Sequence, residues 1–312
     1  MDSGACPGIL PAAVTCAAEL KLCNGTSSRA VAATSDGSGS LALSCANEAG
    51  PSRFNNLFVP VRSGFVSKMP LGVDVRPLSD GFVSSSRQSG SGFDFLAHDG
   101  TLRASQPPGF LLAGADGAVI VRLSGSTLQA QSLAADGTEK ATVALASVTA
   151  PAGSLMLGGA VDAKGATLVI WQVYGESRAV ARWVGAGGAA ATPAFALEGW
   201  LDVIPPAAAL AGGGIALASP PPSGDNQPRW RGVIPPLGTA EHPAPAWLAS
   251  RGAFFPLPGG KAMAFGTEIV AADGTSCGTV DLGAPLAGVG VDGTAFTVLD
   301  ATRFRLHPQL FR

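Results

Sequence analysis

The sequence predicts an all-β fold of seven four-stranded antiparallel units. Three observations carry this. The stretch 286–299, LAGVGVDGTAFTVL, reads as two short apolar strands around the Asp292-Gly293 turn, and a two-residue Asp-Gly connection is a strong short-range hairpin signal. Related hairpin turns recur at Gly37, Gly81, Gly117, Gly165, Gly213, Gly260 and Gly293, about 43 residues apart on average, near the ~40–45 typical of repeats with four strands. The 42 Gly and 24 Pro supply turn chemistry, while the apolar fraction of 46% comes largely from Ala and Val and suits thin, closely packed sheets.

The units follow in order. The first is SRAVAATS, GSLALSCA, FNNLFVPVR and GFVSKMPLG; the second is VDVRPLS, GFVSSSRQ, GFDFLAHD and TLRASQ, with an outer turn at Asp99-Gly100-Thr101. The third is GFLLAGAD, AVIVRLSG, TLQAQSLAAD and TEKATVAL, turning at Asp116-Gly117 and at Asp136-Gly137-Thr138. The fourth is SLMLGGAVD, ATLVIWQVY, SRAVARWVG and TPAFAL. The fifth, AAALAG, GIALASP, PRWRGVIPP and AEHPAPAWL, is the most broken by proline. The sixth is AFFPLP, KAMAFG, TEIVAAD and SCGTVDL, with a turn at Asp273-Gly274-Thr275. The seventh has only LAGVGV, TAFTVLD and TRFRLHPQ, so residues near Thr15–Cys23 are expected to supply its fourth strand and remove two open sheet edges. First strands are poor in bulk and second strands carry the larger apolar residues, as wedge-shaped units crowded around an axis require. A two-sheet sandwich and a β-helix are the alternative architectures.

These residues resemble seven-bladed β-propellers, in particular the divergent propellers of exported bacterial proteins and lipoproteins. The resemblance covers nearly the whole chain and rests on period and hairpins. The Gly-His and Trp-Asp pair of WD40 repeats is absent, and Gly158-Gly159 and Gly259-Gly260 lack the Tyr and Trp partners of kelch repeats. It implies an N-terminal extension over 1–14 and a single propeller domain over 15–312.

Composition narrows the function classes. The net charge of −2 and charged fraction of 13% argue against a nucleic-acid partner, which needs a clustered basic face. No apolar run reaches the ~18 residues of a spanning helix. One Tyr does not supply the aromatic girdles of an outer-membrane barrel. Five Cys without C-x-x-C spacing argue for disulfides in an exported protein, in the periplasm or at the cell surface, with a lipid anchor on the native N-terminus allowed. Strand order places Cys23, at the end of the closing strand, and Cys45, at the end of the first unit's second strand, on the same face and predicts a bond between them. Cys277 is expected to bond Cys6 or Cys16, closing a loop that stabilises by about 4–5 kcal/mol in the chain-entropy model; a local Cys6–Cys16 clip is the rival.

No cofactor fingerprint appears, and His98, His242 and His307 have no second ligand at metal spacing. Ser223, Asp225 and Trp230 stand at the spacing of an Asp-box and resemble that sialidase-type turn, but Gln227 and Arg229 replace two of its residues and only one copy exists. The connections between second and third strands and between blades are the long ones, and both kinds lie on one face. Binding residues favour long loops over a rigid scaffold. The candidates there are Arg53, Arg87, Tyr174, Glu176, Arg178, Trp200, Asp202, Asp225, Arg229, Trp230 and Arg251. Trp171, Trp183, Trp200, Trp230 and Trp247 form either core or an aromatic platform. The reading favours a non-enzymatic exported propeller binding an envelope protein or a glycan. A saccharide-acting hydrolase or lyase and a purely structural scaffold are the alternatives.

Overall fold

The structure is a computed structural model that describes residues 6, 8–11, 18–21, 28–35, 39–47, 53–61, 64–71, 75–85, 92–149, 154–199, 204–219, 229–300 and 303–311; of these, 18–21, 28–35, 43–47, 53–61 and 64–71 are described in their backbone alone. The chain packs as two compact units, residues 1–107, 135–137 and 255–312 in the first and 108–134 and 138–254 in the second.

Strands are numbered along the chain. In the first unit, β1 (Ala18–Lys21) is followed by β2 (Ser28–Ser35), β3 (Leu41–Asn47), β4 (Arg53–Val61) and β5 (Gly64–Leu71), which pair in sequence order. The next sheet is β6 (Val75–Leu78), β7 (Gly81–Ser85), β8 (Phe93–Leu96) and β9 (Leu102–Gln106). The second unit holds three sheets: β10 (Phe110–Gly114), β11 (Gly117–Ser124), β12 (Thr127–Ala134) and β13 (Glu139–Ser147); β14 (Leu155–Val161), β15 (Thr167–Val173), β16 (Ala179–Val184) and β17 (Phe195–Leu197); and β18 (Ala207–Ala209), β19 (Ile215–Ser219), β20 (Arg229–Ile234) and β21 (His242–Pro243). The first unit resumes with β22 (Phe255–Pro256), β23 (Ala262–Phe265), β24 (Glu268–Ala271) and β25 (Ser276–Thr279), then β26 (Leu286–Val289), β27 (Ala295–Val298) and β28 (Arg303–His307). The outer strand of that last sheet is β1, antiparallel to β28 with Ala18 opposite Leu306 and Lys21 opposite Arg303.

The pairing thus comprises seven four-stranded sheets. The expected count of seven blades nevertheless needs correction. A blade is defined by side chains packing from sheet to sheet, whereas the sequence spacing counts hairpins. Among the described residues, six sheets are blades with described packing. In β2–β5 only Leu41 and Ala42 are described beyond the backbone, Ala42 packing with Phe82 and Leu96. Beyond that contact the sheet is described in its backbone pairing alone, and six blades, not seven, have side chains described on most of their strands.

Packing between sheets explains the graded side chains. In β15 alternate residues face opposite ways. Leu168 and Ile170 join Trp183, Leu197, Ile215 and Leu217 in one apolar layer, and Val169 and Trp171 join Leu112, Val121, Leu128 and Leu145 in another. A strand buried on both faces reads as a continuous apolar run, and Leu168–Trp171 does. The inner strands β10, β14 and β18 run side by side. Their close approach demands small residues: a Cβ at Gly158 would overlap Ile204, and one at Gly114 would come within 2.7 Å of Val161 Cγ1.

The Asp-Gly turns repeat one construction. Asp99 Oδ1 accepts the Thr101 amide at 2.9 Å, Asp273 Oδ1 the Thr275 amide at 2.9 Å and Asp292 Oδ1 the Thr294 amide at 3.0 Å. The following glycines take positive φ, 87°, 89° and 81° at Gly100, Gly274 and Gly293. At Asp99 and Asp273 these bonds favour the ionised carboxylate. The backbone amides of Thr101 and Thr275 hold Asp99 and Asp273 below the usual carboxylate range, and Thr142, then Gln131, do the same for Glu139. A folded-state value below the unfolded one contributes stability that is present above the unfolded pKa and lost as pH falls through the folded value. Thermal melts from pH 7 to 2 should therefore show the midpoint falling below about pH 4. Asp273→Asn, which keeps an acceptor but cannot titrate, should shrink that loss; an unchanged acid profile would refute the assignment.

Proline reshapes the fifth-unit segment AEHPAPAWL. Only His242–Pro243 pairs as strand, because Pro has no N–H for the ladder. Ala246–Ala249 instead forms α1, a single helical turn with Pro245 before it and Leu248 fully buried.

Candidate functional site

Strand direction in the second unit places one set of connections at a common end: the end of β15, the start of β16, the end of β17, the start of β20 and the end of β21. Six of the sequence candidates lie there.

The β15–β16 hairpin carries three. The Tyr174 amide donates to Ser154 O at 2.7 Å, the Glu176 amide to Val173 O at 3.0 Å, and Gln172 Nε2 to Glu176 O at 2.8 Å. Gly175, at φ 87°, permits the turn. The backbone is thus fixed while the Tyr174 side chain projects, 70% exposed, beside exposed Glu176 and Arg178. Arg178 Nη1 lies 3.4 Å from Glu198 Oε1 at the end of β17. Both side chains are well solvated, so the pair sets orientation more than stability.

The start of β20 carries Arg229 and Trp230, with Arg251 beyond α1. Arg229 is exposed. Trp230 is buried, its ring 4.9 Å from that of Phe254 at a tilt of 48°, and its indole N–H donates to Gly252 O at 2.8 Å. It anchors the segment after α1. Arg251 Nη1 donates to Trp247 O at 3.1 Å. Trp171 and Trp183 are also buried, and Trp183 Nε1 donates to Gly238 O at 2.9 Å. These three indoles are core and the aromatic-platform reading does not apply to them.

Arg231 escaped the sequence reading. Its guanidinium donates to the carbonyls of Glu198 and Gly199 and lies 3.7 Å from Glu241 Oε1, so it ties β20 to the end of β17. The available signal was alternation in RWRGVI: with Trp230 inside, Arg229 and Arg231 point outward. Arg53 lies on β4 and is described in its backbone alone; Arg87, Trp200, Asp202 and Asp225 lie outside the described residues.

In the first unit Cys6 and Cys277 form a disulfide across a separation of 271 residues. This excludes the Cys6–Cys16 clip. The Cys23 and Cys45 side chains lie outside the described residues. Among the described residues no three His, Cys, Asp or Glu side chains gather as metal ligands, and no helix is long and apolar enough to cross a membrane.

A chain described in work on two prolyl endopeptidases superposes with a TM-score of 0.54 at 13% identity, over 86% of this chain and 45% of that one. The fold is an all-β propeller of four-stranded antiparallel blades. The protein spans less than half the length of that endopeptidase chain, and the likeness concerns fold alone. The Dos1 propeller is similar over 95% of both chains, with 9% identity and a TM-score of 0.40. TolB from Acinetobacter baumannii is similar over 90% of this chain and 63% of its own, with 11% identity and a TM-score of 0.31. No protein-family model and no curated protein matches the chain.

Proposed function

We propose that the chain is a non-enzymatic, exported binding propeller that engages a protein partner through the strand end carrying Tyr174, Glu176, Arg178 and Arg229. The observation that carries this reading is Tyr174, the one tyrosine of the chain, held 70% exposed on a hydrogen-bonded hairpin that also carries exposed Glu176 and Arg178. Tyrosine and arginine dominate the energetic centres of protein interfaces. A fixed backbone beneath them lowers the ordering cost of binding. Burial of Trp171, Trp183 and Trp230 leaves these three indoles unable to stack on a sugar, which supports a protein partner. The Cys6–Cys277 disulfide supports an oxidising compartment.

A photo-crosslinking residue at position 174, in protein exported to a bacterial envelope, tests the site. Exposed Lys164, on a turn at the opposite strand end, is the control position. A discrete protein adduct from 174 and not from 164, reduced at least tenfold by Arg178→Glu with Arg229→Ala, is expected. Equal labelling from both positions overturns the choice of face. Retention on a glycan panel that Tyr174→Ala abolishes overturns the protein reading in favour of a sugar.

A further inference from the structure

The N-terminal residues touch two successive blades of the first unit. Cys6 bonds Cys277 on β25, the outer strand of its sheet. Ile9 packs on the cluster of Leu257, Ile269, Leu310 and Phe311, and Leu10 lies against Gly278, where a Cβ would stand 3.1 Å from its Cδ1. Twelve residues after Cys6 the chain begins β1, which covers the outer edge of β28 through four residue pairs. The start of β1 and the start of β25 lie at the same strand end of their sheets.

We infer that the disulfide is a redox latch for β1: its reduction releases the N-terminal strap and bares the edge of β28. Among the described residues, four residues of edge pairing with Ile9 and Leu10 hold this segment, and short edge strands fray at small free-energy cost. The disulfide confines the start of that segment next to its docking site, so β1 re-forms from a high effective concentration. Cut, the strand is tethered from one side only, through the six residues that join it to β2. Cys6 and Cys277 are both half-buried rather than sealed, which leaves the sulfurs within reach of a reductant.

The chemistry is thiol–disulfide exchange with a dithiol reductant. One reductant thiolate attacks a sulfur of the pair, the protein S–S bond breaks, and the departing thiolate takes a proton. The reductant's second thiolate then displaces the other cysteine, closing its own disulfide and releasing a second protein thiol. Two electrons and two protons pass to the protein. An unpaired β28 edge is a template for another strand, and the strand of matched register is β1 of a second copy.

Amide hydrogen exchange on folded protein, before and after treatment with a dithiol, tests the latch, with thiol titration confirming cleavage. Exchange in Arg303–His307 should accelerate at least tenfold while β15 is unchanged, and a concentration-dependent dimer should appear on sizing. Cys6→Ser should reproduce both effects without reductant. Unchanged exchange in β28 after confirmed cleavage overturns the inference, as does acceleration spread equally over β15, which would signal general unfolding. Photo-crosslinking at position 174 is read separately, so failure of the latch leaves the binding reading untouched.

Discussion

Trp183→Ala should cost about 3–5 kcal/mol, the range for emptying a large buried aromatic site. Trp183 is fully buried in the layer between the β14–β17 and β18–β21 sheets, packed with Leu168, Ile170, Ile215 and Ile234. Removing it opens a cavity and also strands the Gly238 carbonyl, which loses its indole donor. The neighbours sit on paired strands and cannot collapse into the space. Trp183→Phe separates the two effects: it keeps most of the volume and loses the hydrogen bond, for about 1–2 kcal/mol. Denaturant melts followed on the two variants check this; a loss below about 1 kcal/mol for the alanine variant would refute the packing account.

Cys277→Ser should lower stability by up to about 5–6 kcal/mol, the chain-entropy limit for so long a loop. The closed loop spans 271 residues, so the reduced unfolded chain gains much freedom that the oxidised one lacks. For a chain of this length that corresponds to a midpoint drop of roughly 5–10 °C. Thermal melts of the serine variant and of reduced wild type should agree. Agreement at a shift under about 1 °C would show that the bond constrains little of the unfolded chain.

The elements legible in the sequence were those fixed by local chemistry. Asp99-Gly100-Thr101 and Asp273-Gly274-Thr275 announce their turns because the carboxylate, the positive φ and the closing amide lie within three residues. The run Leu168–Trp171 announced β15 because burial on both faces leaves no polar position among these four residues. What was hidden depends on distant partners. Whether a hairpin repeat is a packed blade is decided by neighbouring sheets, so counting turns at seven exceeded the six with described packing. Nothing in spacing distinguishes Cys6 from Cys16 as the mate of Cys277, since both precede β1. Trp230 and Arg229 are adjacent in sequence, yet one is buried on Phe254 and the other exposed, a difference set by the sheet alternation and by α1. Prolines 243 and 245 flagged trouble in the fifth unit but not that a helical turn would follow.

The pairing of β1 with β28 sets a timetable for synthesis. Almost every sheet is made of strands contiguous in the chain and can form as its last strand leaves the ribosome. The last sheet takes its outer strand from the other end of the chain. At ~5–20 residues per second, β1 waits on the order of 15–60 s for Arg303–His307 to be made. Through that interval β1 has no mate, and any factor that shields an extended segment would act there.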